Sequence, residues 1–371
     1  MVAEQTYQPG LDGVVASQTS VSYLDVAAEE IVIRGYDLIE LAENKYYLDI
    51  VGLLLEGQLP DPSRKKVIES ELKQDYHLPD EVLTLFRQLP KQTHPMDALR
   101  TGISFLAGYD ADIEDRTEAG NRKKALRLLA KIPNIIANSY HIINGREPVR
   151  PDNTLSYSAN FLRMMTGRDH NQLETEIFDQ SLVVYSEHEM PNSTFTARVI
   201  ASTHADIYGA LTGAVASLKG HLHGGANEAV MRMLLQADTS DGFRKILYDK
   251  LKNKDRIMGF GHRVYMKKMD PRANLMKRAL KRLADEKGRL DLYDMCVTGE
   301  EVMKEEKGLY PNLDYYAAPV YYLLGIPIDL YTPIFFASRT VGLGAHVIEQ
   351  HNHNRLFRPR VEYNGPRNLH P

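Results

Sequence analysis

Four short stretches place proton-exchanging or charged side chains in turn-like sequence: YSEHEMPNSTF around His188, HLHGGANEA around His223, GFGHR around His262 and YPNLDYYAAP around Asp314. Imidazole is the side chain whose ordinary pKa lies near neutrality, and a carboxylate at a turn is a candidate base. The densest segment is IMGFGHRVYMKKMDPRA, residues 257–273. Gly259 and Gly261 permit backbone conformations other residues resist and leave room for a ligand against the main chain, so His262 is expected at a loop. Arg263, Lys267, Lys268 and Arg272 then gather positive charge beside it. An anionic ligand is one reading and a solvated basic loop the other, and this stretch alone does not choose between them.

Other chemistries fit less well. His221 and His223 lie two apart, as do His351 and His353, and imidazole binds zinc readily. Yet no HExxH pattern occurs, and one cysteine rules out a thiolate cluster within the chain, so no metal site is expected. His204, His351 and His353 read as structural. A hydrolase is disfavoured because there is no GxSxG elbow and Cys296 sits in an acidic, helix-like segment without an evident histidine partner. No Walker loop or GxGxxG fingerprint is present, and Gly342-Leu343-Gly344 lacks the strand and spacing such a fingerprint needs.

The elements that must position these residues are mostly helical. The 371 residues exceed the usual span of one hydrophobic core, so a large domain with a smaller one attached is expected. A formal charge of -4 speaks against a general nucleic-acid binder. The single cysteine, and an opening MVAEQTYQPGLDG without a basic start or apolar run, lead us to expect a reducing, cytoplasmic setting. The apolar region 317–347 is broken by Pro319, Pro327, Asp329, Pro333 and Arg339, so it reads as buried core and not a membrane span.

Short β-branched runs at Val14-Val15, 21–24 and 31–33 predict a small β fringe. Beyond it the helical period dominates. Ile50, Val51, Leu54 and Leu55 share one face, closed by Gly57. Val82, Leu85, Phe86 and Leu89 repeat the pattern behind a cap expected from Asp80, with Pro90 at the end. A helix over residues 121–143 is expected to kink at Pro133 and stop at Asn144-Gly145. Residues 153–165 form another amphipathic stretch. The small-residue run 196–218 predicts one central helix, approached closely by its neighbours. Charge thickens over 282–307, which suggests exposed helices of a second, more polar subdomain, with a boundary near 220–225 and a return to the main body after Tyr310.

LHGGANEA, IMGFGHRVY followed by DPR, YPNLD, and the run from TPIFFASR through AHVIEQ to FRPRVEYNGP resemble the citrate synthase family in order and spacing. PGLDGVV and RGYDLIELAE extend the resemblance over nearly the whole chain, and within the family it is most similar to bacterial 2-methylcitrate synthases. The resemblance implies a mostly all-α citrate synthase fold, with a large dimer-forming domain of residues 1–222 and 326–371 and a small domain of 223–325 on the acyl-CoA side of a cleft. It implies condensation of propionyl-CoA, acetyl-CoA or both with oxaloacetate, then thioester hydrolysis. The coenzyme A thioester would be a co-substrate, with no tightly bound cofactor.

Residue by residue, the resemblance implies Asp314 as the base, His223 as the donor to the enolate oxygen and His262 as the group that polarises and protonates the ketone oxygen. His188 would contact oxaloacetate, and Arg272, Arg339 and Arg358 would bind its carboxylates. Arg358 would reach in from the second subunit, making the protein an obligate homodimer. Arg263, Lys267 and Lys268 would face the phosphates of coenzyme A. Against these stand plainer readings: Asp314 as a helix cap, Arg339 paired with Glu349, and Arg358 with Arg360 as a solvated tail. Between His262 and Arg272 the chain is one residue longer than the usual bacterial pattern, so no single lysine is assigned. It also begins almost directly at the catalytic body, as the dimeric members do. Tyr315–Ala318 and Leu343 are candidates for the acyl pocket, and the sequence leaves acetyl against propionyl open.

Overall fold

The computed structural model describes residues 7–25, 28, 30–261, 265 and 268–371. A three-stranded antiparallel sheet, β1 (Ser22–Asp25), β2 (Glu30–Ile33) and β3 (Tyr36–Asp37), opens the fold in the order β1-β2-β3, with Ser22 opposite Ile33. Val14-Val15 forms no strand: with Val15 88% exposed, it has no core face to pack on. Then come α1 (Leu38–Asn44), α2 (Tyr47–Glu56), α3 (Pro62–Gln74), α4 (Asp80–Gln88), α5 (Pro95–Leu106), α6 (Glu118–Ile143), α7 (Tyr157–Thr166) and α8 (Gln172–Tyr185). The chain continues with α9 (Asn192–Ala201), α10 (Ile207–Lys219), α11 (Ala226–Leu234), α12 (Ser240–Asn253), α13 (Pro271–Glu286), α14 (Leu290–Lys307), α15 (Leu313–Leu323) and α16 (Tyr331–Asn352).

Local chemistry sets most of these bounds. Gly57 closes α2 at φ 79, the left-handed conformation that only glycine adopts freely. α6 stops at Asn144, as the sequence predicts, but it begins at Glu118 and carries Pro133 inside one continuous helix where the sequence predicts a kink. Asp80 is not the cap of α4. Pro79 takes that position with extended backbone, and Asp80 lies inside the first turn, where its charge still meets the helix dipole favourably.

The small-residue run is two helices and not one. His204 adopts φ 63, and the Asp206 carboxylate accepts the Gly209 N–H to start α10 afresh. α9 and α10 then pack against each other. A Cβ on Gly213 would lie 2.2 Å from Ile200 Cδ1, which accounts for the small side chains.

α16 is the centre of the larger packed group, set against α2, α6, α8, α9 and α10 and buried over nearly its whole length. Gly342 supplies the closest approach: a Cβ there would stand 2.6 Å from the Ser186 carbonyl oxygen just beyond α8. The glycines of the Gly-Leu-Gly triplet therefore serve packing. No helix among the described residues is long and apolar enough to cross a membrane. The other group joins α13 to α14 and α15, α12 to α14, and α11 to α15. α13 also touches α8 and α1, and Tyr185 at the end of α8 bonds Asp314 in the first turn of α15, so the two groups meet there.

Candidate active site

The glycine loop and the YPNLD stretch, far apart in sequence, form one structure. Gly261 N–H donates to the Tyr310 carbonyl at 2.9 Å, Asn312 N–H donates to the Gly259 carbonyl at 2.9 Å, and Phe260 bridges to Pro311. Gly259 sits at φ 89 and Gly261 at φ 75, and a Cβ on Gly259 would lie 2.6 Å from Val230 Cγ2, so both torsion and space require glycine at 259. The Asn312 side chain ties the unit together, donating to the Gly261 carbonyl at 3.1 Å and accepting the Asp314 N–H at 3.1 Å. Asn312, not Asp314, caps α15, which frees the Asp314 carboxylate for other work. His262 follows directly on this unit, but His262, Arg263 and Lys267 lie outside the described residues. Lys268 is exposed.

Asp314 stands in the first turn of α15, part-buried, and its Oδ1 accepts the Tyr185 hydroxyl at 2.7 Å. Burial pushes this carboxyl above the usual range, opposed by the Tyr185 hydrogen bond and by the charges of Arg272 and Arg339. A carboxylate whose ionised form is poorly solvated has a higher proton affinity than one in water.

Arg339 projects from α16 and is 2% exposed. Its Nε donates to the Tyr185 carbonyl at 2.7 Å and its guanidinium lies 4.8 Å from the centre of the Phe335 ring. Burial pulls its pKa to about 10, with Glu187 opposing and Arg272 adding to the depression, so it stays cationic at neutral pH. Glu349 is not its partner. That carboxylate pairs with Arg198 at 2.6 Å and accepts the Ser20 N–H at 2.7 Å.

Arg272 is equally buried, but its fork is engaged: Nε and Nη2 reach the two oxygens of Asp270 at 3.0 and 2.8 Å. Burial would lower this guanidinium's pKa, and the Asp270 charge and hydrogen bonds overcome that and raise it. Arg358 is exposed on the C-terminal tail, where its Nη1 donates to the Pro359 carbonyl. Within one chain it does not join the other two arginines.

His223 lies in the turn between α10 and α11, its Nε2 facing the Ser193 N–H at 3.2 Å and the Ser193 hydroxyl at 2.9 Å. A backbone N–H can only donate, so Nε2 accepts and the neutral ring carries its proton on Nδ1. Burial, and next the Arg339 charge, push the His223 pKa down to about 4. At neutral pH this residue is an uncharged donor within electrostatic reach of Arg339. His188, buried just after α8, meets the ring of Tyr265 edge to face with centroids 6.3 Å apart, and Tyr265 in turn lies within reach of Arg272.

Tyr185, Asp270, Ser193 and Glu187 were not singled out by sequence reasoning, although each lies inside or beside a motif that was. Glu187 is fully buried, with Oε1 accepting from Ser22 Oγ at 2.9 Å and facing His346 Nε2 at 3.2 Å. Arg198 donates to His346 Nδ1 at 3.1 Å, so the His346 proton sits on Nε2 and points to Glu187. Burial would raise the Glu187 pKa, and His346 and Arg339 outweigh it. The only signal for this in sequence was polar residues in an apolar setting. No group of three or more His, Cys, Asp or Glu side chains among the described residues is arranged to hold a metal ion.

The profile of the citrate synthase C-terminal domain matches residues 10–360. A citrate synthase of Heyndrickxia coagulans is 64% identical over 369 residues, covering 100% of this chain and 99% of that protein. A citrate/2-methylcitrate synthase of Bacillus subtilis (strain 168) is 64% identical over 367 residues, covering 99% of each. Among solved structures, the ternary complex of carboxymethyl coenzyme A and oxaloacetate with citrate synthase from Thermoplasma acidophilum superposes with a TM-score of 0.91 at 30% identity, covering 99% of this chain and 98% of that one. With the profile spanning nearly the whole chain and full-length relatives this similar, the protein belongs to the citrate synthase family.

Proposed function

We propose that the chain condenses a short acyl-CoA, propionyl-CoA or acetyl-CoA, with oxaloacetate and then hydrolyses the thioester, releasing 2-methylcitrate or citrate and free coenzyme A. The observation that carries the residue assignment is the Asp314 carboxylate, uncapped, hydrogen-bonded to Tyr185 and faced by Arg272 and Arg339. Asp314 removes an α-proton from the acyl group. The electron pair moves onto the thioester oxygen, where the Nδ1–H of neutral His223 donates to the developing charge. Pre-aimed donors of this kind typically contribute about a hundredfold to a thousandfold in rate. The α-carbon then attacks the ketone carbon of oxaloacetate, whose oxygen takes a proton from His262. Water cleaves the thioester, giving the carboxylate and the coenzyme A thiol.

The oxaloacetate carboxylates are held by Arg339 and Arg272, with His188 beside them. Because the Nε and Nη2 of Arg272 already serve Asp270, Nη1 is its group for substrate. Arg358 completes the set from the partner subunit of a homodimer, which gives an exposed tail arginine a role that one chain does not provide. Arg263, Lys267 and Lys268 supply the positive charge for the coenzyme A phosphates. Residues 223–325 act as a small domain that closes on residues 1–222 and 326–371, so oxaloacetate binds first and closure excludes water. The reaction takes place in the cytoplasm. One methyl group in an apolar pocket is worth about 1–3 kcal/mol, which allows both acyl groups to be used. The test is release of free thiol, which should require both oxaloacetate and acyl-CoA and vanish in Asp314→Asn. Undiminished turnover in that variant would remove Asp314 from the role of base.

A further inference from the structure

Tyr185 occupies the last position of α8, fully buried, and both ends of it are in use. Its hydroxyl donates to Asp314 Oδ1 at 2.7 Å, and its main-chain carbonyl accepts from Arg339 Nε at 2.7 Å. Its ring packs edge to face on Phe335 with centroids 4.8 Å apart, and Phe335 is the ring that Arg339 covers. A carboxylate in the first turn of a helix has freedom to rotate, and so does a long guanidinium. Here one residue fixes both, and the fixed points come from three helices: α8, α15 and α16.

We propose that Tyr185 is a positioning residue that sets the orientation and proton affinity of the Asp314 base and ties it to the substrate-binding Arg339. This rests on Asp314 being the base. The hydroxyl fixes Oδ1 and leaves Oδ2 to take the proton, so the acyl carbon is approached by one defined oxygen. Buried and next to a carboxylate, the phenol stays protonated throughout the working range and always donates. Its hydrogen bond favours the ionised carboxylate, so the base is in its working form at lower pH than burial alone would permit. The other described groups facing Asp314 are Arg272 and Asp270 from the start of α13, Arg339 from α16 and Tyr321 on its own helix. None of these is altered by deleting one phenolic oxygen.

The experiment is Tyr185→Phe in the full-length enzyme, with kcat/KM for acyl-CoA at saturating oxaloacetate followed across pH. Phenylalanine keeps the ring against Phe335 and the carbonyl on Arg339. The acid limb of the profile should move up by about one pH unit, while KM for oxaloacetate stays within about twofold. Replacing Tyr185 with 3-fluorotyrosine, a more acidic donor, should move the limb down. A purely structural role would move neither. An acid limb unmoved in both variants overturns the proposal, as does a large rise in oxaloacetate KM with the limb in place. Asp314→Asn is assayed in parallel. If it keeps its turnover, the assignment of the base fails; if it is inactive while the Tyr185 limb stays put, only the positioning role fails.

Discussion

Replacing Asp270 with asparagine isolates the charge of a buried pair. Asp270 is 1% exposed and Arg272 is 4% exposed, and the two meet through a fork of 3.0 and 2.8 Å. Asp270 is also the cap of α13, accepting the Arg272 N–H at 2.9 Å. Asparagine caps helices about as well as aspartate and keeps one acceptor oxygen, so Asp270→Asn spares the cap and removes the countercharge. What remains is a buried guanidinium that has lost its closest countercharge, beside a second buried cation, Arg339. Breaking a buried pair from one side costs about 3–5 kcal/mol, and we place this variant near the lower end, at about 3 kcal/mol, because one hydrogen bond survives. Asp270→Ala should cost about 1 kcal/mol more, the contribution of the cap. Equilibrium urea unfolding followed by circular dichroism, at one fixed protein concentration, measures both. The Asp270→Asn deficit should persist at high salt, because screening acts weakly on buried charges. A deficit below about 1 kcal/mol, the range of exposed pairs, would refute the view that Asp270 is what keeps Arg272 stable in the interior.

Two further outcomes are expected. If Arg358 works across the dimer, subunits carrying Arg358→Ala and subunits carrying Asp314→Asn, each inactive alone, should regain thiol-releasing activity when mixed and reassembled; persistent inactivity of a verified mixed dimer would place Arg358 outside the site. Asp179 accepts the Ser158 hydroxyl and the Tyr47 N–H, and burial raises its carboxyl from 3.8 to about 6. Its folded pKa lies above its unfolded one, so stability is fully present below about pH 4 and is lost as pH rises to about 6, by about 2–3 kcal/mol. Asp179→Asn should abolish that part of the decline in unfolding free energy between those pH values, and an unchanged slope would count against it.

The legible parts of the sequence were those governed by local rules. Gly57, Asn144 and Pro90 end helices through their own backbone preferences, and Gly259 and Gly261 take the positive φ values that their loop requires. The motif order likewise names Asp314, Arg272, Arg339 and His223 as candidates, and the fold brings the two arginines within electrostatic reach of Asp314 and Arg339 within reach of His223, while Arg358 stays apart on the tail. Local rules failed where a stronger local competitor intervened. His204 and Asp206 cut the small-residue run into two helices, and Pro79 displaced Asp80 from its cap.

Residue identity and order along the chain thus determined the helical class, the element ends and the list of groups able to do the chemistry. Only the tertiary structure decided which partner each group has. It gave Asn312 the cap and left Asp314 to Tyr185, gave the fork of Arg272 to Asp270, turned His223 into a neutral Nδ1–H donor through Ser193, and paired Glu349 with Arg198. The physical reason is that hydrogen-bond pairing and desolvation depend on distances of about 3 Å between residues far apart in sequence. Such distances arise when α8, α15 and α16 converge, and no spacing along a single chain encodes them.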